Sequence, residues 1–396
     1  MSEEAVRYDG SHIQVLEGWE AIRKRPGMYV GSTGERGLHE LVYEVAGRAV
    51  NDVLAGRADS VEVALMPDGG VRVTDDGPGI PVEAAGDVGG GPGLEALLTR
   101  PHAGAEPGGR HSVPMSRFGT GLCVTNALSS RLTAEVRRAG VRWVQEYVRG
   151  VALTPPTVAG PPTGTGTTIA FWPDVDIFGT ATQCSYAVLA EHFRELAFLN
   201  RCMDISLIDE RTPGPSRPVR FHSPGGARDF VVFLDEKRGA PATPVTPAHS
   251  DVIGFEWEDV RMAGTVEVAL RWCGSGEERV EGFANSWPTP DGGTHAEGFR
   301  DGVAAAVNAY ARQRRLLTSA DPDLGADRIG KGLTAVVSVK LDRPEFYGAT
   351  NGRLGGAVVR ACVAEAVRDR LSAWLEQTPE QAAALIGRIV RGPRGG

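Results

Sequence analysis

Asp75-Asp76-Gly77-Pro78-Gly79-Ile80-Pro81 follows directly on Val71-Arg72-Val73-Thr74, so an alternating strand runs into a glycine turn with a carboxylate at its mouth. Glycines at such a turn supply the positive φ of a tight reversal. Val61 to Leu65 alternates in the same way, and Pro67-Asp68-Gly69-Gly70 joins the two strands as a hairpin. Ahead of the hairpin, Leu41, Val42, Val45, Ala49 and Val53 fall at helical spacing within Leu38 to Ala55, with Gly56 past the end. Glu44 sits at the edge of that apolar stripe, beside Leu38, Leu41 and Val45, where a carboxylate needs a partner or a purpose. Further on, Gly119-Thr120-Gly121 precedes Asn126-Ala127-Leu128, and Thr165-Gly166-Thr167 opens a strand from Thr167 to Trp172. Taken singly, each motif is weak: the D-x-G-x-G stretch reads equally well as a plain tight turn, and a glutamate on a helix is usually on a solvated face.

The length of 396 residues suggests two domains of ordinary size. With 42 basic against 50 acidic side chains the net charge is −8, which excludes coating DNA or an anionic membrane through bulk positive charge and leaves a local basic patch open. Hydrophobic residues at 41% and charged residues at 23% are the balance of a globular protein with sizeable cores. No run of about 20 apolar residues occurs, and Met1 to His12 lacks a basic region followed by an apolar core. Neither a membrane span nor a signal peptide is expected. Five scattered cysteines without CxxC spacing point away from a zinc site or a disulfide framework, and toward reduced thiols in the cytoplasm.

Residues 86 to 121 are rich in Gly and Pro and carry little periodicity, which predicts a long loop of the kind that forms a functional lid or a disordered segment. Arg131 to Arg137 and Trp143 to Tyr147 read as a hairpin, and Ser185 to Leu199 as a helix. A new unit begins near Val219. Its expected strands are Val252 to Trp257, Gly264 to Trp272 and Arg279 to Ala284, and its expected helices Gly298 to Leu317, Gly355 to Gln377 and Pro379 to Val390. Leu333 to Lys340, reading L-T-A-V-V-S-V-K, is continuously apolar, which predicts a strand buried on both faces.

Read together, these blocks resemble the ATPase region of DNA gyrase B and its topoisomerase IV counterpart, members of the GHKL ATPases. The matching text includes Tyr8-Asp9-Gly10-Ser11, Arg23-Lys24-Arg25-Pro26-Gly27-Met28-Tyr29-Val30-Gly31, Gly37-Leu38-His39, Asp75-Asp76-Gly77, Thr165-Gly166-Thr167, Phe171-Trp172-Pro173, Arg194-Glu195-Leu196-Ala197-Phe198-Leu199-Asn200, Asp291-Gly292-Gly293-Thr294-His295 and Gly332 to Lys340. It runs from about Tyr8 to Val390. The resemblance implies an α+β chain: a Bergerat-type (GHKL) ATP-binding α/β sandwich, then a ribosomal-protein-S5-like transducer domain with a left-handed crossover. It places an N-terminal dimerisation arm at residues 1–15, the ATP-binding domain at 16–215 and the transducer at 216–396. It further implies that the chain stops where a metal-binding, DNA-cleaving module would begin, so that cleavage is not expected and DNA contact is weak or absent.

Site roles follow from the resemblance position by position. Glu44 matches the general base that orients water onto the γ-phosphate. Asp75 matches the carboxylate that accepts the adenine amino group, and Thr167 the hydroxyl that works with it through water. Gly79, Ile80 and Pro81 match the floor beneath the adenine. Gly119 and Gly121 match glycines whose backbone amides cradle the phosphates. The implied cofactor is ATP, with Mg²⁺ in the family, and the implied assembly is a homodimer embraced by the arm.

The departures cluster on the phosphate side. The family helix reads E-V-x-D-N-A against Glu44-Val45-Ala46-Gly47-Arg48-Ala49, so Arg48 replaces the asparagine that holds Mg²⁺. The lid lysine falls on Glu106. The text G-G-L-H-G-V-G becomes Met115-Ser116-Arg117-Phe118-Gly119-Thr120-Gly121, and the Q-T-K loop becomes Ala349-Thr350-Asn351. Arg48 lies four residues from Glu44 on one helix face. It can pair with Glu44 and spoil the base, present a fixed cation to phosphate as a nucleotide-binding residue, or remain a solvated helix residue. Arg110 and Arg117 are candidates for further phosphate charge. No metal ligand set stands in the sequence. Three function classes remain: a nucleotide-gated dimeric clamp with slow or altered ATPase activity, a non-hydrolysing paralogue acting on a gyrase-type partner, and a repurposed nucleotide-dependent enzyme of small-molecule biosynthesis.

Overall fold

The computed structural model describes residues 16, 18–83, 93–103, 109–116, 118–180, 183–212, 214, 216–238, 251–273, 276–348 and 351–391. The expected arm at 1–15, Glu106, Arg117, Ala349 and Thr350 lie outside the described residues. The chain forms two compact units. Met1–Ala105, Met115–Ala190 and Ile205–Arg220 bound the first, and Glu106–Pro114, Glu191–Asp204 and Phe221–Gly396 the second.

In the first unit the described residues build a nine-stranded sheet. Its order is Val151–Ala152, Val141–Val148, Ser129–Arg138, Gly166–Pro173, Val71–Asp75, Val61–Leu65, Ile205–Asp209 and Val219–Phe221, with Thr157–Val158 also pairing on Val141–Val148. Val61–Leu65 pairs antiparallel with Val71–Asp75 and parallel with Ile205–Asp209, so the sheet is mixed. The helix Glu35–Leu54 packs on it, burying Leu38, Leu41, Val42, Val45, Ala49, Val50 and Val53.

The register of two strands positions the key carboxylate. Val73 lies opposite Ile169 and Val71 opposite Phe171 across an antiparallel pair. Side chains alternate with period two, so Val71, Val73 and Asp75 share the buried face of one strand, and Thr167, Ile169 and Phe171 that of its neighbour. Carried one step further, this register sets Asp75 beside Thr167.

The second unit holds a five-stranded sheet in the order Ile253–Asp259, Gly264–Trp272, Leu333–Leu341, Arg279–Ala284 and Trp287–Pro288. Leu333–Leu341 runs parallel to Arg279–Ala284 and antiparallel to Gly264–Trp272. On one face Thr294–Gln313, Ala357–Gln377 and Pro379–Arg391 supply Phe299, Val303, Val363, Leu371 and Ile386 to a core around Val268, Leu270 and Val337. On the other face the helix Ala227–Arg238 packs Phe230, Val231 and Leu234 against Ala269, Phe283 and Val336. Covered on both sides, the central strand is buried throughout except at Lys340, as its continuous apolar text predicts.

Three expectations need correction. The glycine-rich stretch 86–121 contains a helix, Leu94–Thr99, whose Leu94, Leu97 and Leu98 are buried; six residues are too few to show periodicity. The helix expected from Gly298 begins at Thr294, because Gly298 and Gly302 are packing positions inside it and mark no boundary. The helix Ala227–Arg238 has no counterpart among the expected elements, although its apolar residues meet the sheet face opposite the three larger helices.

Candidate functional site

Asp75 ends its strand almost fully buried. One carboxylate oxygen, Oδ1, accepts the backbone amides of Gly77 at 3.0 Å and Thr167 at 3.1 Å. Burial pushes its pKa above the ordinary aspartate value, opposed by those two amides and by the charge of Arg48. The Thr167 hydroxyl accepts the Ile80 amide at 3.1 Å, tying the turn to the neighbouring strand. Gly79 has φ +74°, and a Cβ there would stand 2.8 Å from the Arg137 carbonyl, so conformation and space both require glycine. Arg138 donates to the Pro78 and Gly79 carbonyls at 3.1 and 2.8 Å, and Arg137 to the Asp75 carbonyl at 3.2 Å. Pro81 accepts the Leu94 amide at 2.8 Å, joining the turn to the short helix. Asp75, Gly79, Ile80, Pro81 and Thr167 therefore form one connected group. The two arginines that brace it carry no sequence signal beyond their strand position.

A second group surrounds Glu44. Its Oε1 accepts the Ser116 hydroxyl at 2.7 Å and the Thr120 amide at 3.2 Å, with the Thr120 hydroxyl at 3.4 Å; its Oε2 accepts the Gly121 amide at 3.0 Å. Gly121 thus joins Glu44 directly. Gly119, at φ +55° with open space where a Cβ would be, makes no such bond among the described residues. Sequence reasoning misses Ser116 and Thr120; the available signal is that hydroxyl residues replace Gly and Val of the resembling text. Gly47 packs against Met115, its notional Cβ 3.2 Å from the methionine Cβ, so two departures from that text fit one another.

Arg48 turns toward Asp52 on the next helical turn, with Nη2 and Oδ2 3.9 Å apart, and no ion pair joins it to Glu44 among the described residues. Asp52 is also bridged by Arg57 at 2.6 Å. The charge of Arg48 reaches Asp75, where it favours the ionised carboxylate. Arg110 belongs to the second unit and is held by Glu258 at 2.7 Å and Asp342 at 3.2 Å. Asn351 lies in the second unit with φ +53°. Among the described residues no group of three or more His, Cys, Asp or Glu could hold a metal ion, and no helix is long and apolar enough to cross a membrane.

The mixed sheet covered by the Glu35–Leu54 helix, with an S5-like unit next in the chain, is of the GHKL ATPase type. Residues 226–394 match the DNA gyrase B family. DNA gyrase B of Streptomyces coelicolor is 44% identical over 395 residues, covering 96% of this chain and 56% of that protein. The novobiocin-sensitive DNA gyrase B of Streptomyces niveus is 41% identical over 97% of this chain and 58% of that protein. The crystal structure of the 43K ATPase domain of Thermus thermophilus gyrase B, in complex with an aminocoumarin, superposes with a TM-score of 0.80 at 31% identity, covering 95% of this chain and 94% of that one. The chain belongs to the DNA gyrase B family. It spans little more than half the length of the curated relatives it matches.

Proposed function

We propose that this chain binds adenine nucleotide in its first unit, hydrolyses ATP slowly, and works as a nucleotide-gated homodimer. The observation that carries the proposal is the Asp75 turn. With Oδ1 saturated by two backbone amides, the other carboxylate oxygen is the acceptor for an exocyclic amine, and Thr167 stands beside it. Glu44 is the residue to orient the attacking water, and the loop amides of Thr120 and Gly121 are the donors for phosphate oxygens. Arg48 does not fit a Mg²⁺ ligand, because a guanidinium has no lone pair to offer. Its chemistry is that of a fixed cation facing phosphate. Among the described residues Arg48 pairs with Asp52 and makes no ion pair with Glu44, which supports a base that Arg48 does not neutralise.

The test is phosphate release and molar mass measured together, with and without a non-hydrolysable ATP analogue. Release far slower than that of an ordinary gyrase B domain assayed alongside is expected. It should depend weakly on Mg²⁺, vanish in Glu44→Ala, and be accompanied by a dimer with the analogue. Fast, strictly Mg²⁺-dependent turnover, or a monomer under both conditions, overturns it. The bonds that engage Glu44 favour a second reading, a non-hydrolysing module acting on a gyrase-type partner. ATP binding without any phosphate release selects that reading, and AMP released only with a second substrate selects the biosynthetic enzyme.

Aminocoumarins should bind poorly. In the resembling family an arginine follows the aspartate-glycine of the adenine turn and another lies on the neighbouring hairpin, and both grip these drugs; here the positions hold Pro78 and Val144. Arg142, on the same strand face as Val144, is committed to Glu135 at 2.7 Å and the Ala159 carbonyl at 3.2 Å. Two missing charge-assisted hydrogen bonds remove about 1.5–3 kcal/mol each. Calorimetric titration decides: affinity equal to that of an ordinary gyrase B domain refutes the pocket assignment.

A further inference from the structure

The loop that would receive phosphates in the proposed site is already filled by the chain's own anion. Among the described residues, the donors that meet Glu44 come from positions 116 to 121: one hydroxyl at 2.7 Å, two backbone amides at 3.0 and 3.2 Å, and a more distant hydroxyl at 3.4 Å. Ser116 is buried, and its Oγ also accepts the Phe118 amide at 3.2 Å. A serine hydroxyl has one proton. With the Phe118 amide occupying a lone pair, that proton is left to point at Glu44. Where the resembling text has glycine, no side chain at this position could reach the carboxylate.

We propose that Ser116 is a positioning residue that holds the Glu44 carboxylate across the Thr120 and Gly121 amides, so that a triphosphate must expel it to bind. The proposal rests on the reading of the first unit as an adenine-nucleotide site. An amide N–H satisfies a carboxylate oxygen or a phosphate oxygen, not both. The two anions therefore exclude one another on electrostatic grounds as well. Because Glu44 is tethered to the same domain, it competes at high effective concentration. Apparent triphosphate affinity falls by the fraction of molecules whose loop is open. Adenosine, which has no phosphate, is indifferent to the plug. The same event that seats the phosphate frees both oxygens of Glu44 beside it, so phosphate entry and release of the base are coupled.

Calorimetry on the whole chain with adenosine, ADP and ATP tests this, using Ser116→Ala, Ser116→Thr and Glu44→Ala. Loss of the short hydroxyl bond to a charged group is expected to tighten ATP by about tenfold in Ser116→Ala. Glu44→Ala should tighten ATP at least as much, and adenosine affinity should stay within about twofold of wild type in both. Ser116→Thr, which keeps the hydroxyl, should restore the wild-type ratio of ATP to adenosine affinity, a ratio that a purely structural serine would not control. If Ser116→Ala fails to fold, Ser116→Gly, which restores the residue of the resembling text, carries the same comparison. Unchanged or weakened ATP binding with adenosine binding intact overturns the plug. Absence of adenosine binding in the wild-type chain instead overturns the nucleotide reading, and the plug with it.

Discussion

Asp75 and Asp76 are chemically identical neighbours that the fold treats in opposite ways. Asp76 is exposed and accepts the Asp59 and Ser60 amides at 2.8 and 3.1 Å, fastening the start of the hairpin. Asp75 continues the buried parity of Val71 and Val73, and that parity is legible in the sequence. Burial raises its pKa in the folded state, so the ionised group costs stability at neutral pH, and the cost fades as pH falls through the raised value. Nucleotide affinity runs the other way, because only the ionised carboxylate is a pure acceptor. Asp75→Asn keeps an oxygen for the Gly77 and Thr167 amides while removing the charge. Thermal unfolding at pH 7 should therefore show the variant as stable as wild type or more so. Calorimetry should show adenosine affinity weaker by about 1–3 kcal/mol, with discrimination against GTP reduced. Equal ATP and GTP affinity in the unmutated chain would sink the adenine assignment. What the sequence does not show at this scale is the company of Glu44, since the bonds from Ser116 and Gly121 join residues 72 and 77 positions away.

Long, periodic elements are legible in the sequence, and errors fall where tertiary packing overrides a local signal. Leu333–Leu341 is identifiable because both its faces are covered and its text is apolar without alternation. Leu94–Thr99 is not, because six residues carry less than two helical turns of pattern. Gly298 and Gly302 show the override most clearly. Both lie inside Thr294–Gln313, where glycine is a poor helix former. A Cβ on Gly298 would come within 2.4 Å of the Arg360 carbonyl, and one on Gly302 within 2.6 Å of the Ala364 carbonyl. The two glycines let this helix and Ala357–Gln377 approach backbone to backbone. Gly302→Ala should thus destabilise the second unit by about 1 kcal/mol, since overpacking of about 1–3 kcal/mol outweighs the helix-propensity gain of about 1 kcal/mol at the same helix. At exposed Ala305, one turn on, the sign reverses: Ala305→Gly should lose about 1 kcal/mol from propensity alone. Denaturant unfolding of both variants checks the pair, and a stabilised Gly302→Ala would refute the close approach.

At the scale of the molecule, which segments belong to which unit is decided by contacts between residues far apart in the chain. Glu106–Pro114 and Glu191–Asp204 belong to the second unit although they lie within the stretch expected to form the first. Arg110 explains one of these, through Glu258 and Asp342; Phe198 and Leu199 explain the other, through the Ala227–Arg238 core. Such contacts join residues far apart in the chain, and local pattern carries no trace of them. The second unit contains a buried histidine that is sensitive to acid. In the second unit His295 is fully buried, with Nε2 3.0 Å from the Thr289 hydroxyl and Nδ1 without a partner among the described residues. Burial drives its pKa down from 6.5 to about 4. A histidine held neutral in the folded state contributes stability that is whole above pH 6.5 and is lost as pH falls toward 4, because the unfolded chain takes up the proton first. The loss at pH 4 is on the order of 3 kcal/mol from this one group. Ionised Asp75 in the first unit opposes that slope, since its cost is relieved by acid. Glu195 in the second unit, raised by burial to about 7, gains stability over the same range, and His39 in the first unit, lowered by burial, loses it. The His295 contribution is therefore read from the variant: hydrogen exchange followed by mass spectrometry, corrected for intrinsic rates, should show Leu333–Leu341 losing less protection between about pH 6.5 and 4.5 in His295→Gln than in wild type. His295→Gln, neutral at every pH, should flatten the slope in the second unit even if it lowers stability overall. An unchanged slope in that variant would place the acid sensitivity elsewhere.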